Sequence, residues 1–183
     1  RDPMASKSSR QVSAVTAGNS HTCALSLVGG VLCWGENGKG QLGNGTTVDS
    51  LTPVMVSGLP SGVTAIHSNQ DHTCAVTVAG GVKCWGRNFS GQLGDGSDTD
   101  RTTPVSATGL TAGVASISAG YTHTCAATLA GPAMCWGYNY FGQLGDGTTT
   151  DRWSPAVVLA SPGGPPLSGV QSIHASAYLH TCA

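Results

Sequence analysis

Charged and aromatic residues are scarce in this chain of 183 residues. Only 9% of the residues are charged and 5% are aromatic, and eight Lys plus Arg against nine Asp plus Glu leave a formal net charge of -1. A nucleic-acid-binding surface needs a basic surplus to neutralise phosphates, so this balance predicts no nucleic-acid partner. No run approaches the roughly eighteen consecutive apolar residues of a membrane helix, so we also expect no membrane partner.

Helical periodicity is missing as well. No segment long enough for a helix repeats its apolar residues with a period of about 3.6, the period of an amphipathic helix. Short runs compatible with β-strands alternate instead with turns, in a chain that contains 27 Gly and 9 Pro. The sequence therefore predicts an all-β fold.

An internal repeat accounts for nearly the whole chain. The string His-Thr-Cys-Ala begins at His21, His72, His123 and His180, with spacings of 51, 51 and 57 residues. Cys-Trp-Gly and Gly-Gln-Leu-Gly follow in the same register, starting at Cys33, Cys84 and Cys135 and at Gly40, Gly91 and Gly142. Four short strands in about fifty residues are typical of a β-propeller blade. We predict blades of four antiparallel strands, with three complete repeats and the first half of a fourth.

The register divides the chain into five parts. We predict a tag-like or disordered terminus at residues 1–10, repeats at 11–61, 62–112 and 113–168, and the first strands of a truncated fourth repeat at 169–183. Five of the six extra residues of the last spacing precede Val170. The sixth lies between Val170 and His180, where a β-bulge would absorb it.

Glycine and proline positions predict the turn after the first strand of each unit and the start of the fourth strand. The first strand, predicted at 12–17 in the first unit, is followed by a residue that tolerates positive φ, namely Gly18, Asn69 or Gly120 in the three units. Pro53 is predicted to begin the fourth strand, because proline suits the first residue of an outer, edge strand.

The third unit carries the motifs most clearly. Residues 117–127, Ile-Ser-Ala-Gly-Tyr-Thr-His-Thr-Cys-Ala-Ala, followed by Cys-Trp-Gly-Tyr-Asn and Gly-Gln-Leu-Gly, resemble the repeat of the regulator of chromosome condensation family. The match recurs over residues 11–183. The resemblance implies a seven-bladed propeller that serves as a scaffold for protein contacts. The family includes a nuclear nucleotide-exchange factor, a plant ultraviolet-B photoreceptor and a secreted bacterial β-lactamase inhibitor.

The chain departs from that family in two ways. Cysteine stands where the family usually has an aliphatic residue after His-Thr, at Cys23, Cys74, Cys125 and Cys182. The photoreceptor's Trp-Arg before the histidine is replaced by Asn-Ser, Gln-Asp or Tyr-Thr, which disfavours a photoreceptor. Only the scaffold motif matches, so the resemblance implies no exchange-factor residues.

The paired cysteines of each unit lie on facing strands of one hairpin. We predict a cross-strand disulfide in each complete unit, joining Cys23 to Cys33, Cys74 to Cys84 and Cys125 to Cys135. Disulfides imply an oxidising compartment, so we expect the parent protein to be extracellular or on the cell surface. The alternative is a zinc site that uses the histidine and both cysteines, but such a site lacks a fourth ligand. No cofactor is predicted.

Cys182 is the seventh cysteine and has no counterpart ten residues further on. We therefore expect an unpaired or intermolecular thiol at Cys182, and a chain that is a piece of a longer propeller. Unpaired strand edges bind other strands, so we also expect a homodimer or another homo-oligomer that completes the propeller.

Residues that are identical between units are expected to be structural. We expect each repeated histidine to fix its neighbouring turn by hydrogen bonds rather than to act as a general base. The repeated tryptophans, Trp34, Trp85 and Trp136, are expected to pack between blades. The acidic run at 95–100 lacks the spacing of a calcium loop and is expected to be a solvated loop.

Positions that differ between units are the candidates for partner contacts. Aromatic residues and arginine are enriched at protein interfaces, which selects Arg87, Phe89, Tyr121, Tyr138, Tyr140 and Phe141. The alternative for these side chains is that they only cap the propeller's own loops. We predict a protein-interaction scaffold that is not an enzyme. The alternatives are a carbohydrate- or cell-wall-binding module with Tyr138, Tyr140 and Phe141 as stacking platforms, a hydrolase that uses the histidines, and an excised fragment with no function of its own.

Overall fold

The computed structural model describes residues 11–176 and 180–183. The predicted tag-like terminus at 1–10 lies outside the described residues. Three sheets of four strands follow one another along the chain, each in the order of the sequence. Within the described ranges, no helix is long and apolar enough to cross a membrane.

The strands have regular bounds. The first sheet contains β1 (Val12–Ala17), β2 (His21–Ser26), β3 (Val31–Gly35) and β4 (Ser50–Met55). The second contains β5 (Val63–Asn69), β6 (His72–Thr77), β7 (Val82–Gly86) and β8 (Arg101–Ser106). The third contains β9 (Val114–Ala119), β10 (His123–Thr128), β11 (Met134–Gly137) and β12 (Arg152–Val157). A short pair, β13 (His174–Ala175) and β14 (Thr181–Cys182), follows them. The all-β prediction, with four-stranded blades, is confirmed.

The sheets pack face to face around their first strands. β5 lies against both β1 and β9, and β13 lies against β9 and β10. Each apolar core forms between two neighbouring blades. Cys23, Val31 and Leu42 of the first blade pack with Ala75 and Trp85 of the second, and the second and third blades meet in the same way.

The fourth strand differs from its prediction. Pro53 lies inside β4 and does not begin it. The β3–β4 register shifts between the Cys33–Val54 and Gly35–Ser50 pairs, so Pro53 falls within an irregular stretch of an outer strand. A proline is tolerated there because no ladder hydrogen bond needs its missing N–H. Pro104 and Pro155 hold the same place in β8 and β12.

The turn after the first strand also differs from its prediction. Gly18 and Gly120 do not have positive φ, whereas Gln70, which follows Asn69, has φ 42°. The glycines are needed for space instead. A Cβ on Gly18 would lie 2.2 Å from Cε1 of His21, and one on Gly120 would lie 2.5 Å from Cε1 of His123.

The sixth extra residue of the last repeat lies between the paired residues of β13 and β14. Ala119 pairs with Thr124 in the third blade, and Ala175 pairs with Thr181 in the short pair, one residue further apart. The added residue therefore falls between β13 and β14, a segment that includes residues 177–179, which are outside the described ranges.

Candidate functional site

Three buried disulfides cross the hairpins. They join Cys23 to Cys33, Cys74 to Cys84 and Cys125 to Cys135, and in each pair the two residues face each other in the β-ladder. All six cysteines are at most 1% exposed. Cys182 is a free, exposed thiol. Each bridge therefore ties the second strand of a blade to the third.

The histidine side chain of each complete unit bonds to the next blade and not to its own turn, whereas Nδ1 of His180 lies 3.2 Å from Oγ of Ser176. Nε2 of His72 lies 3.0 Å from Oγ1 of Thr124, and that hydroxyl donates to the carbonyl oxygen of Gln92 at 2.8 Å. Because the hydroxyl hydrogen is used on Gln92, Nε2 of His72 must be the donor in the first bond. The expectation of a turn-fixing hydrogen bond thus named the wrong partner.

The same link recurs at the other two histidines. Nε2 of His21 lies 2.8 Å from Oγ1 of Thr73, and Nε2 of His123 lies 3.1 Å from Oγ1 of Thr181. Each histidine is therefore a hydrogen-bonded connection between adjacent blades.

Burial keeps these imidazoles neutral. Desolvation lowers the pKa of His72 from 6.5 to about 3, with added repulsion from His123, His21 and His67. It lowers the pKa of His21 and of His123 to about 4. Each ring is at most 3% exposed, and within the described residues each Nδ1 lacks a hydrogen-bond partner. Rings enclosed in this way cannot reach a dissolved substrate. Among the described residues, no three histidine, cysteine or acidic side chains group as metal ligands.

The tryptophans form a second set of links between blades. Nε1 of Trp85 donates to the carbonyl oxygen of Gln41, and Nε1 of Trp136 donates to that of Gln92, each at 2.9 Å. A Cβ on Gly43 would lie 2.8 Å from the Trp85 ring, so the last glycine of Gly-Gln-Leu-Gly makes room for the indole. Trp85 and Trp136 are fully buried, as expected for packing between blades.

A buried asparagine organises the long loop of each blade. The Asn88 amide donates to the carbonyl oxygens of Ser97 and Thr99 at 3.0 Å, and its Oδ1 accepts the Leu93 N–H at 2.9 Å. The Asn88 N–H donates to Asp100 at 2.7 Å. Asn37 and Asn139 make the same contacts. Sequence reasoning missed this role, although the asparagine and an aspartate twelve residues later recur in all three units.

The acidic run at 95–100 is part of this scaffold. Asp95 accepts hydrogen bonds from the Ser97 N–H and hydroxyl and from Arg101. Burial pushes the pKa of Asp95 upward, but the bonds from Ser97 and Arg101 outweigh that effect and hold it below its ordinary value. Hydrogen bonds and an ion pair within the loop therefore hold it together.

The first turn and the long loop of each blade lie at one end of the sheets. In each blade the loop's first N–H donates to a turn carbonyl: Glu36 to Ser20, Arg87 to Asp71 and Tyr138 to Thr122, at 2.8–2.9 Å. We call this surface the loop rim. It comprises the turns at 18–20, 70–71 and 120–122 and the loops at 36–49, 87–100 and 138–151. All six candidate contact residues belong to it.

The candidates form two groups and one single residue. Arg87 lies 4.4 Å from the centroid of the Phe89 ring and forms an ion pair with Asp71 at 3.2 Å. Tyr140 contacts Phe141 edge to face, with ring centroids 5.0 Å apart.

Tyr138 completes the second group, and Tyr121 is the single residue. Tyr138 lies parallel to Tyr140 with centroids 6.4 Å apart. Phe89, Tyr140 and Phe141 are 53%, 67% and 62% exposed. Tyr121 is exposed in its turn and donates its N–H to Ser176.

Two protein-family models each match this chain three times, once for each repeat. The model of the regulator of chromosome condensation (RCC1) repeat matches residues 28–76, 79–127 and 134–183. This chain belongs to the RCC1 repeat family. A second model of the same repeat matches residues 12–41, 63–92 and 114–143. The repeat as the first model defines it is offset from the blades. Each match begins near the third strand of one sheet and ends near the second strand of the next sheet.

Two curated RCC1 relatives are similar over most of this chain. The ultraviolet-B receptor UVR8 of Arabidopsis thaliana is 34% identical over 148 residues, which are 79% of this chain and 33% of the receptor. The human probable E3 ubiquitin-protein ligase HERC4 is 34% identical over 154 residues, which are 81% of this chain and 14% of the ligase. This chain therefore spans a third or less of these relatives.

Solved RCC1 structures share the fold. Yeast RCC1 (Prp20) bound to Kap60 matches with a TM-score of 0.71 and 22% identity, over 90% of this chain and 40% of Prp20. Prp20p of Saccharomyces cerevisiae, in a structure described together with its binding to Gsp1p and histones, matches with a TM-score of 0.70 and 18% identity, over 91% of this chain and 42% of Prp20p.

Proposed function

We propose that this chain is a protein-binding RCC1-repeat module that acts through its loop rim and without catalysis. The observation that carries the proposal is the aromatic group of Tyr138, Tyr140 and Phe141, in which Tyr140 and Phe141 are exposed, on the same loop rim as the Arg87–Phe89 pair. Large aromatic side chains and arginine contribute much of the energy of protein interfaces. Related propellers support the proposal, since Prp20 was solved bound to Kap60.

Exposure favours partner contact over capping of the chain's own loops. A capping ring would cover apolar core, whereas most of the Tyr140 and Phe141 surfaces face solvent and their rings touch each other. The loops beneath are held by the buried asparagine amides, so their side chains project from an ordered base. Pre-ordered side chains lose less entropy on binding.

A peptide-display selection against the immobilised chain tests this proposal. We expect the selected peptides to lose at least about tenfold in affinity when the chain carries Tyr140→Ala, the loss typical of an interface hot spot. Leu129→Ala is the matched control, because Leu129 is 77% exposed in the turn between β10 and β11, at the opposite end of the third sheet from the rim. Peptides that respond to Leu129→Ala and not to Tyr140→Ala would contradict the rim proposal. A glycan-array signal lost with Tyr140→Ala would favour carbohydrate binding instead.

We also propose that copies of this chain associate to complete a propeller. Val12 and Val15 of β1 are 52% and 60% exposed, and Trp34 is only half-buried, whereas Trp85 is fully buried against a neighbouring blade. The face of the first sheet thus offers the apolar groups that blades use to pack on one another. Sedimentation equilibrium should show a dimer or larger species that Trp34→Arg weakens. A monomer at all concentrations would contradict this proposal.

We propose that the parent protein works outside the cytosol. The support is the three buried disulfides, which persist in oxidising compartments. Folding yield in an oxidising and in a reducing compartment of the same expression host tests the proposal. An equal yield of soluble, reduced chain in both would contradict it.

A further inference from the structure

Two segments of this chain have the pattern Asn-x-Ser/Thr, in which x is not proline. They are Asn44-Gly45-Thr46 in the first blade and Asn88-Phe89-Ser90 in the second. This pattern is the acceptor for N-linked glycosylation in secreted proteins. Both asparagines lie on the loop rim, but their side chains have different environments.

The amide of Asn88 is buried and hydrogen-bonded. The residue is fully buried, and its Nδ2 donates to the carbonyl oxygens of Ser97 and Thr99, at 3.0 Å each. A further contact joins Nδ2 to Asp95 at 3.2 Å. A saccharide on this nitrogen would remove one of these hydrogen bonds and would need space inside a packed loop. Asn88 is therefore closed to modification in the folded chain.

The amide of Asn44 has the opposite arrangement. One of its two polar atoms is bonded to the Thr46 N–H at 3.1 Å, to the Thr46 hydroxyl at 2.9 Å and to Nδ2 of Asn37 at 3.2 Å. A backbone N–H can only donate, so that atom is the acceptor oxygen, Oδ1. Within the described residues, Nδ2 of Asn44 makes no hydrogen bond, and it is accessible to solvent. The nitrogen that would carry a saccharide therefore has no competing partner in that part of the chain.

The second blade shows why this nitrogen has no partner. Asp95 holds the place of Asn44 there, and its second oxygen accepts from Arg101 at 2.8 Å. In the first blade Ser50 stands at the arginine position, and its hydroxyl donates to the carbonyl oxygen of Thr52 at 2.7 Å. Arg101 is itself 39% exposed, so the space that its guanidinium takes in the second blade is at the surface. The first blade leaves that space beside the Asn44 amide open.

The loop that follows Asn44 is exposed. Residues 45–49 are all exposed, and Val48 is 71% exposed. The second blade is flanked by blades on both sides, and the equivalent Gly96 and residues 98–100 are exposed there as well. Packing of neighbouring blades thus leaves this part of the loop uncovered. A saccharide on Asn44 would extend into solvent.

We infer that Asn44 is a site of N-linked glycosylation and that Asn88 is not. The donor is an oligosaccharide joined through its anomeric carbon to a lipid diphosphate, and an oligosaccharyltransferase catalyses the transfer. Nδ2 of Asn44 attacks the anomeric carbon and a C–N bond forms. The C–O bond to the diphosphate breaks, the lipid diphosphate leaves with the electron pair, and Nδ2 loses one proton. The inference rests on the proposed location outside the cytosol, because this modification is made on secreted proteins.

Secretion of the chain from a eukaryotic host with an added leader peptide tests the site. The leader forces entry into the secretory compartment, so the result does not depend on the parent protein's own location, which the folding-yield comparison tests. Intact mass and glycopeptide mapping of the secreted, disulfide-bonded chain measure the occupancy of each asparagine. We expect a glycan on Asn44 and none on Asn88. An unmodified Asn44 in the secreted chain would overturn the inference, as would a glycan on Asn88.

Three variants change the acceptor pattern without replacing either asparagine. Thr46→Ala should abolish the glycan, whereas Thr46→Ser should keep it, because either hydroxyl completes the pattern. Ser90→Ala removes the pattern at Asn88 and should leave the mass of the glycan unchanged. A glycan that persists in Thr46→Ala, or one that is lost in Ser90→Ala, would overturn the inference.

A second measurement uses the folded chain and needs no secretion. The oxidised chain, made in a host without this modification, is incubated with a purified oligosaccharyltransferase and a synthetic lipid-diphosphate disaccharide. Free peptides of residues 42–48 and 86–92 give the rate of each acceptor outside the fold. Relative to its own peptide, Asn44 should react at least about tenfold faster than Asn88, because Asn88 reacts only when its loop opens. A ratio near one would overturn the inference. The rim proposal is independent, because Tyr140→Ala should leave this ratio unchanged.

Discussion

Three buried histidines should make the stability of this chain sensitive to mild acid. The pKa values of His21, His72 and His123 are lowered from 6.5 to about 4, 3 and 4. In the unfolded chain the same imidazoles take up protons near pH 6.5. Between pH 6.5 and 4 the unfolded state therefore binds more protons than the folded state. The histidines' contribution to stability is complete above pH 6.5 and is lost as the pH falls toward their folded pKa values.

The size of the loss follows from the distance between the pH and the unfolded pKa. pH 5 lies 1.5 units below the unfolded pKa of 6.5, and each unit corresponds to about 1.36 kcal/mol. Protonation of each imidazole at pH 5 therefore stabilises the unfolded state by about 2 kcal/mol. Three histidines together remove about 6 kcal/mol between pH 7 and 5. That loss is comparable with the whole stability of many domains, which is about 5–15 kcal/mol.

Urea unfolding at pH 7, 6 and 5 measures this loss, with the disulfides intact and the β-sheet circular dichroism as the signal. We expect the free energy of unfolding to fall by about 3–4 kcal/mol per pH unit below pH 6. The pKa of His67 is also lowered by burial, so it adds to the fall. Asp95 and Asp146 have pKa values below their ordinary 3.8, so they titrate outside this window.

Single histidine variants show which imidazoles cause the dependence of the free energy of unfolding on pH. His72→Gln should lower stability at pH 7 and reduce the slope by about a quarter to a third, since His72 is one of three histidines with strongly lowered pKa values and His67 also contributes. A free energy of unfolding that stays constant from pH 7 to 5 would refute the reasoning, as would a slope that is unchanged in His72→Gln.

Three further predictions concern stability, and urea or thermal unfolding measures each. Trp136→Ala should cost about 3–5 kcal/mol, because a fully buried indole and its bond to Gln92 are lost. Trp34→Ala should cost clearly less, and equal costs would contradict the role of blade packing. Asn88→Ala should cost about 2–3 kcal/mol through the unpaired groups left in the loop, against less than about 0.5 kcal/mol for the exposed Asn19→Ala. Reduction of the disulfides should cost about 3 kcal/mol each and leave the chain largely unfolded, so a reduced chain with an unchanged melting temperature would count against their role.

The sequence predicts contacts within a blade better than contacts between blades. The 12–17 strand, the hairpins and the facing cysteines follow from period-two alternation and turn residues, which are local. The partner of His72 is Thr124, 52 residues away in the next sheet, and nothing in local alternation identifies it. The same reason explains why the prediction for Gly18 is wrong. A glycine is needed there because the His21 ring packs against it, and the φ of Gly18 is not positive.

The repeated and the variable residues of the loop rim have complementary physical roles. Asn88 at the base of its loop bonds to backbone groups across the loop, and the Gln92 carbonyl is bonded from the next blade. These contacts use groups that recur in the other units, so the loop backbone is held independently of what Phe89 or Tyr140 is. Variable side chains on a fixed backbone can change the bound partner without changing the fold. A search for partner specificity should therefore vary the residues beside each buried asparagine and leave the asparagine itself in place.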